Sequence, residues 1–253
     1  MTTNPVTTIP THTPTPTHTA ASTTTDPVPP LLRLTWLASP ALPIGAFSYS
    51  EVLEAAVEHG LVHDDVSAGV WLSQQLKLLA RGDLAAIAQG VVAWRSSDEA
   101  ALREIARWLR VTRDGAEARL QSEQMGQSLL VWLRGQPMAS PAQLALLAAC
   151  GDGQPMHYAF VMSLALATIA VPVEQALSSQ AFGWAENQVQ AALKAVPLGQ
   201  TAGQRVLTRL ASEIPAAVAE AIATPPARRQ LFAPMLSVLA ARHETQYSRL
   251  FRS

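Results

Sequence analysis

The segment "HYAFVMSLALATIAVPV", residues 157–173, is the clearest guide to the fold of this chain. It is strongly apolar, and Asp152 is the only charged residue between positions 134 and 174. A membrane-spanning helix needs about 20 apolar residues without a break, but Pro155 and Pro172 bracket this run and basic flanks are missing. The stretch therefore predicts a helix buried on all sides by other helices, although an apolar dimer face could also use it.

The sequence around this stretch predicts helices rather than strands. From Leu31 onward Ala, Leu and Gln dominate, and no alternating apolar and polar run reaches strand length beside a hairpin turn. Only 15% of the chain is charged and 49% is hydrophobic, so much of it must be buried in its own core or against a partner. We predict an all-α fold, a single compact domain of about ten helices over residues 31–253.

Helix start and stop signals set the predicted boundaries near the beginning of the domain. Ser48 followed by Glu51 forms a capping-box pattern, which predicts a helix from there through Glu58. The next helix is predicted to begin at Asp64 or Asp65 and to stop at Gly82.

The last predicted helix runs from about Arg228 into a docking tail, "ARHETQYSRLFRS", residues 241–253. Its apolar residues recur at steps of three and four through Phe251, which predicts one helical stripe. Burying Tyr247, Leu250 and Phe251 is worth roughly 1.5–3 kcal/mol each, whereas ordering each of about ten residues costs about 1–2 kcal/mol. The stripe is therefore expected to be fully ordered only when a partner covers it. An ordinary last helix on its own core is the alternative.

Composition excludes several classes of protein. Residues 1–30 contain twelve Thr, seven Pro and one charge, Asp26, so they lack the features of a signal peptide and predict a disordered leader. The net charge is −1, which leaves no global field to attract nucleic acid or a membrane surface. The single cysteine, Cys150, permits no disulfide within the chain and favours a reducing compartment.

Residue patterns for chemistry are few. Cys150 and His157 could form the thiol–imidazole pair of a hydrolase or thiol enzyme, but a lone cysteine in an apolar stretch is more often a small buried hydrophobe. We therefore predict no catalytic, cofactor-binding or metal-binding residues. A polar cluster interrupts a predicted apolar helix and includes Gly183, Trp184, Asn187 and Gln188. Small, aromatic and amide side chains of this kind suit a close contact between helices, either internal or with another protein.

Four blocks of the sequence resemble the urease accessory protein UreF family. They are "LASPALPIGAFSYSEVLE" (37–54), "EQMGQSLL" (123–130), "AFGWAENQVQAALKAVPLGQTAGQRVL" (181–207) and "RHETQYSRLFRS" (242–253). The resemblance runs from about Leu31 to Ser253 and leaves the leader out. One departure is visible: the family usually has a glycine before "LE", where this chain has Val52.

The resemblance implies a cytoplasmic, all-helical protein that dimerises and is not an enzyme. Members join UreD, also called UreH, and the GTPase UreG in a complex that acts on apo-urease and helps to install its nickel centre. The family protein links UreD to UreG and influences the GTP cycle of UreG. The chain itself is expected to bind no nickel tightly, because it offers one cysteine and four histidines outside the leader.

The resemblance also implies which residues contact these partners. UreD is expected to bind the loop residues Ser39, Pro40, Pro43 and Gly45 together with the tail residues His243, Glu244, Tyr247, Arg249, Leu250 and Phe251. UreG is expected to bind Lys194, with Glu54 as a further candidate on the same face. The alternatives are the Cys150/His157 enzyme and a helical dimerisation module unrelated to urease.

Overall fold

The structure, a computed structural model, describes residues 1–2, 28–113 and 115–253. Within these ranges the chain forms eleven α-helices and no strand, which confirms the predicted all-α class. Most of the predicted disordered leader lies outside the described residues. The helices are α1 (Pro30–Ala38), α2 (Leu53–Glu58), α3 (Asp65–Leu79), α4 (Ala85–Ser96), α5 (Glu99–Val111), α6 (Ala116–Arg134), α7 (Pro141–Gly151), α8 (Tyr158–Ala167), α9 (Val173–Ala195), α10 (Gln200–Ala223) and α11 (Pro234–Glu244).

The apolar stretch forms α8, which lies at the centre of the fold. Every residue of α8 from Ala159 to Leu166 is buried, and the helix packs against α4 and α6. A side chain at Gly126 of α6 would collide with the backbone that leads into α8, so this glycine permits the close approach. The prediction of a helix buried on all sides is therefore confirmed, and α8 offers no face to a dimer partner. None of the described helices combines the length and apolarity needed to cross a bilayer.

The predicted helix stop at Gly82 is wrong. The chain continues from α3 through a π-helical turn, Ala80–Leu84, directly into α4. A Cβ at Gly82 would lie 2.9 Å from the carbonyl oxygen of Gln230 and would collide with Leu231. The glycine therefore serves close packing rather than helix termination, and it lets the Gln230 N–H donate to the Arg81 carbonyl at 3.0 Å.

Part of the polar cluster on α9 makes an internal contact. Helix α1 lies along α9, where the Ser179 hydroxyl donates to the Leu34 carbonyl at 2.9 Å. A Cβ at Gly183 would lie 2.7 Å from the Ala38 carbonyl oxygen, so only glycine allows this approach. For this cluster the internal alternative is the one that the structure supports.

The predicted start of α2 at the Ser48 capping box is wrong, because the helix begins at Leu53. The preceding residues Glu51 and Val52 adopt φ values of 50° and 73°. A β-branched side chain is strained in this left-handed region, at a cost on the order of 1–3 kcal/mol. The family usually has glycine at the position of Val52. Its left-handed φ is one that glycine adopts without strain. The turn sends the Glu51 side chain towards a cavity and the Glu54 side chain towards the C-terminal tail.

Candidate partner-binding site

The last nine residues of the docking tail, residues 245–253, do not continue the last helix. Helix α11 ends at Glu244, with Thr245 as its C-cap, so the predicted helical stripe through Phe251 is wrong. Phe251 is buried, whereas Tyr247 and Leu250 are exposed. The tail therefore lies across the domain in an irregular conformation that turns its apolar residues in different directions.

Glu54 anchors the tail beyond the end of α11. The backbone N–H groups of Leu250 and Phe251 donate to the two Glu54 carboxylate oxygens at 2.7 and 2.9 Å. The Gln246 side-chain amide donates to the same carboxylate at 3.3 Å. Only 6% of Glu54 is exposed, and charge-assisted hydrogen bonds of this kind are roughly twice as strong as neutral ones. The Leu250 and Phe251 amides therefore donate to a carboxylate and not to the carbonyl oxygens of a helix.

A second carboxylate, Glu117 of α6, holds the base of the tail. His243 Nδ1 lies 2.8 Å from Glu117 Oε2, and His243 Nε2 lies 3.4 Å from Glu54 Oε2. Arg249 Nη1 donates to Glu117 Oε1 at 2.8 Å. The His243 side chain has no exposed surface, so the imidazole joins the two carboxylates in the interior. The contacts tie α2, α6 and the tail together.

The end of the tail pairs with the segment that precedes α2. The Arg252 N–H donates to the Ser48 carbonyl at 2.8 Å, and the Ser50 N–H donates to the Ser253 carbonyl at 2.9 Å. The Ser50 hydroxyl donates to the same Ser253 oxygen at 2.7 Å. On the other side, the Ser253 hydroxyl donates to Gln121 Oε1 at 2.7 Å.

The predicted loop leads directly into this paired segment. Ser39 caps the end of α1, Pro40 and Pro43 are exposed, and Gly45 has a φ of 73° that favours glycine. The next residue is held to α9, because the Asn187 amide donates to its carbonyl at 3.2 Å. The loop and the tail, predicted to contact the same partner, therefore meet on one side of the domain.

Lys194 and Glu54 both contact the docked tail. Lys194 is exposed, and its Nζ lies 5.8 Å from the centre of the Phe251 ring, within cation–π range. The Glu54 carboxylate is occupied by the tail, so the structure leaves it little surface for a direct contact with a partner. Glu244 is exposed at the end of α11, and the described hydrogen bonds of the site do not include it.

The tail docks on its own domain without a partner, but in an irregular conformation and not as the ordinary last helix that was the alternative. The expected stability gain of the tail rested on the burial of three apolar side chains, but only Phe251 is buried. It did not include the carboxylates, because nothing in the local sequence shows that Glu54 and Glu117 receive the tail. Hydrogen bonds to charged groups contribute about 1.5–3 kcal/mol each, enough to offset much of the ordering cost.

Sequence reasoning also missed exposed apolar residues near the tail. Phe232, Met235 and Val238 project from the outer side of the C-terminal segment, with exposures of 53, 57 and 49%. Their spacing of three is a helical signal, but the sequence alone did not separate this outer face from the buried one. Phe47, beside the segment that pairs with the tail, is also exposed.

The Cys150–His157 pair lacks the character of a catalytic pair. Burial raises the pKa of the Cys150 thiol, and burial lowers the pKa of His157 to about 4. Both shifts favour neutral side chains, whereas a thiol enzyme needs a thiolate beside an imidazolium. Both residues line a cavity of about 10 Å³, which has room for about one water molecule. Among residues 1–2, 28–113 and 115–253, no group of three or more His, Cys, Asp and Glu side chains is placed to hold a metal ion.

Comparison with known proteins gives the family. The sequence model of the UreF family matches residues 62–211, and the urease accessory protein UreF of Polaromonas sp. (strain JS666 / ATCC BAA-500) is 55% identical over 228 residues, 90% of this chain and 96% of the relative. The chain belongs to the UreF family. The UreF protein of Methylibium petroleiphilum is also 55% identical, over 224 residues that make up 88% of this chain and 94% of the relative. The resemblance seen in the four sequence blocks is confirmed.

A third relative joins two accessory proteins in its name. The bifunctional urease accessory protein UreEF of Bordetella bronchiseptica is 45% identical over 228 residues, 88% of this chain and 52% of the relative. The chain is thus a member of a urease accessory family, and the alternative of a helical module unrelated to urease is wrong. In this UreF-family protein the docked tail, the 39–50 segment and Lys194 form the candidate partner-binding site.

Proposed function

We propose that the chain is a scaffold in urease maturation that binds UreD (UreH) and recruits the GTPase UreG to apo-urease, modulating its GTP cycle. UreF-family membership supports the urease role. The observation that carries the finer proposal is the contact of Phe251 with Lys194. It joins the tail, assigned to UreD, to the lysine assigned to UreG. In this proposal the chain is not an enzyme and holds no tight nickel site, and the complex delivers nickel to urease in the cytoplasm.

The proposed UreD surface consists of the exposed side chains on and around the docked tail. Tyr247 and Leu250 project into solvent from a tail whose backbone is fixed by Glu54. Exposed apolar side chains on an anchored backbone lose little conformational entropy on binding, which favours affinity. The surface continues to Phe47 on one side and to the outer face of α11 on the other.

The proposed UreG surface centres on Lys194. A lysine stem on α9 lies against Phe251 while its ammonium group remains exposed. Glu54 contributes by holding the tail that carries Phe251, so we assign it a positioning role. UreD would favour the docked tail by covering it, and the docked tail would hold Lys194 ready for UreG.

Replacing Lys194 with alanine tests the UreG assignment. Lys194→Ala should leave the thermal unfolding midpoint and UreD capture within error, because a surface cation–π contact is worth only about 0.5–1 kcal/mol. UreG capture by the UreD complex should fall about tenfold or more. Pull-downs with purified UreD and UreG measure both effects.

The chain's other lysine, Lys77 on α3, gives the matched control, since it is exposed and distant in sequence. Lys77→Ala should retain normal UreG capture. Loss of UreG capture by both variants, or unfolding of Lys194→Ala, would show that Lys194 is not a specific UreG contact.

The proposed homodimer uses an exposed apolar face on α1 and α9. Leu31, Leu32 and Trp36 of α1 are exposed, as is Phe182 of α9, the helix against which α1 packs. Such side chains beside a rigid helix pair suit a second copy of the same face. Sedimentation of Leu32→Asp should show a monomer where the unmodified chain shows a dimer. A monomeric unmodified chain at the same concentration would contradict the proposal.

A further inference from the structure

A cavity of about 240 Å³ lies between the helical body and the C-terminal segment. Leu84, Ile87 and Met125 are among the apolar residues of its wall, and Leu231 and Leu236 close it from the C-terminal side. An engineered cavity of about 150 Å³ binds benzene, so this space accommodates a small organic molecule. Lys194 does not line the cavity, whereas Ser39 and Pro40 of the loop and Ser253 at the end of the tail do.

Three carboxylates line the cavity, and two of them are already paired. Asp83 accepts two hydrogen bonds from Arg113, both at 2.7 Å. Glu117 is engaged by Arg249 and His243. Glu51 makes no ion pair within the part of the chain that the structure describes. Its carboxylate instead accepts hydrogen bonds from Trp184 Nε1 at 2.9 Å and Gln121 Nε2 at 3.4 Å.

The surroundings of Glu51 favour a bound positive charge beside its carboxylate. The pKa of the Glu51 carboxyl is raised, chiefly by burial and also by the negative charge of Asp83. The hydrogen bonds from Trp184 and Gln121 and the positive charge of Arg113 only partly oppose this rise. A cation beside the carboxylate would counter both effects. Aromatic rings from Trp184 and Tyr158 also line the cavity, and such rings attract cations through their faces.

The wall also limits the kind of cation. A single carboxylate without an ion pair, Glu51, does not provide the several oxygen ligands that Mg²⁺ or Ca²⁺ requires, and the nearby Arg113 guanidinium also disfavours a divalent cation. The mainly apolar wall favours a hydrocarbon body beside the charge. Arg113 also lines the cavity, but its guanidinium is paired with Asp83. An anion would face three acidic side chains, of which Glu51 has no ion pair.

We infer that this cavity is a binding site for an organic monocation, a protonated alkylamine or arylalkylamine. The ammonium group donates to Glu51 and the hydrocarbon body packs against the apolar wall. This inference does not rest on the proposed UreD and UreG contacts.

Three probes of equal length test it on the full chain: hexylamine, hexanol and hexanoate, each titrated by calorimetry at pH 7.5. Hexylamine should bind at least about tenfold more tightly than hexanol, because a charge-assisted hydrogen bond contributes that much. Hexanoate should bind more weakly than hexanol. Equal affinity for the amine and the alcohol, or no saturable binding of the amine, would overturn the inference.

The variant Glu51→Gln removes the charge and keeps an oxygen for the Trp184 N–H. It should reduce hexylamine affinity about tenfold and leave hexanol affinity unchanged. Glu186→Gln on α9, outside the cavity wall, is the matched control and should bind hexylamine normally. Retained amine preference in Glu51→Gln would also overturn the inference. If Glu51→Gln loses its helical circular dichroism, the ranking of the three probes on the unmodified chain decides the question.

Discussion

Glu54→Gln should release the C-terminal tail while leaving the helical body folded. The substitution keeps the side-chain volume but replaces one acceptor oxygen with an NH₂ donor, which then faces the N–H groups that the carboxylate receives. The amides of Leu250 and Phe251 would lose their charged acceptor, and a buried donor without a partner costs about 1–3 kcal/mol. We expect docking to weaken by about 3 kcal/mol, because one amide loses its acceptor and the other keeps only a neutral acceptor. Hydrogen exchange of the Leu250 and Phe251 amides should accelerate roughly 100-fold.

The helical body should tolerate this change, because its centre consists of α8 with α4 and α6. The hydrogen bonds of the Glu54 carboxylate run to α11 and the tail and not to these helices. The matched control is Glu58→Gln on the same helix, whose side chain is exposed. Unchanged protection of the tail amides in Glu54→Gln would show that the carboxylate does not anchor the tail. A large fall in the melting temperature of the whole domain would show instead that Glu54 belongs to the core.

The fold could be predicted from sequence because its central signal is local. An uninterrupted apolar run between two prolines has few alternatives to a buried helix, and α8 fulfils that expectation. The stop assigned to Gly82 failed because the residues that explain this glycine, Gln230 and Leu231, lie far away in the chain. Glycine signals both chain turns and close packing, and only the tertiary structure separates the two.

The site was predictable only in part, for a similar reason. The resemblance predicts that the loop, the tail and Lys194 bind partners, which stays a prediction, and it does not predict the contacts among them. The spacing of apolar residues predicted a last helix through Phe251. That spacing contains no information about a carboxylate on another helix that binds the tail. Glu54 receives two tail amides from almost two hundred residues away in sequence, and no local pattern predicts such an acceptor.

Deleting residues 247–253 should have the largest effect on partner binding. The deletion removes the exposed Tyr247 and Leu250 together with the buried Phe251 that contacts Lys194. Burying two large apolar side chains in an interface is worth roughly 1.5–3 kcal/mol each, so UreD capture should fall about 100-fold or more. The truncated chain should keep its helical circular dichroism, because none of the helices α1 to α11 includes residues 247–253. Capture of purified UreD on the immobilised chain, with and without the deletion, measures the effect.

A double variant separates direct contact from positioning. Tyr247→Ser with Leu250→Ser removes the exposed side chains but keeps the backbone amides that Glu54 binds, and therefore keeps Phe251 beside Lys194. If UreD contacts the tail directly, the double variant should lose most of the UreD capture that the deletion loses. It should retain the ring contact of Lys194. Normal UreD capture by the deleted chain would remove the tail from the UreD surface. If the double variant captures UreD normally and the deleted chain does not, the exposed side chains of the tail do not contact UreD. The tail would then act only by positioning Phe251 against Lys194.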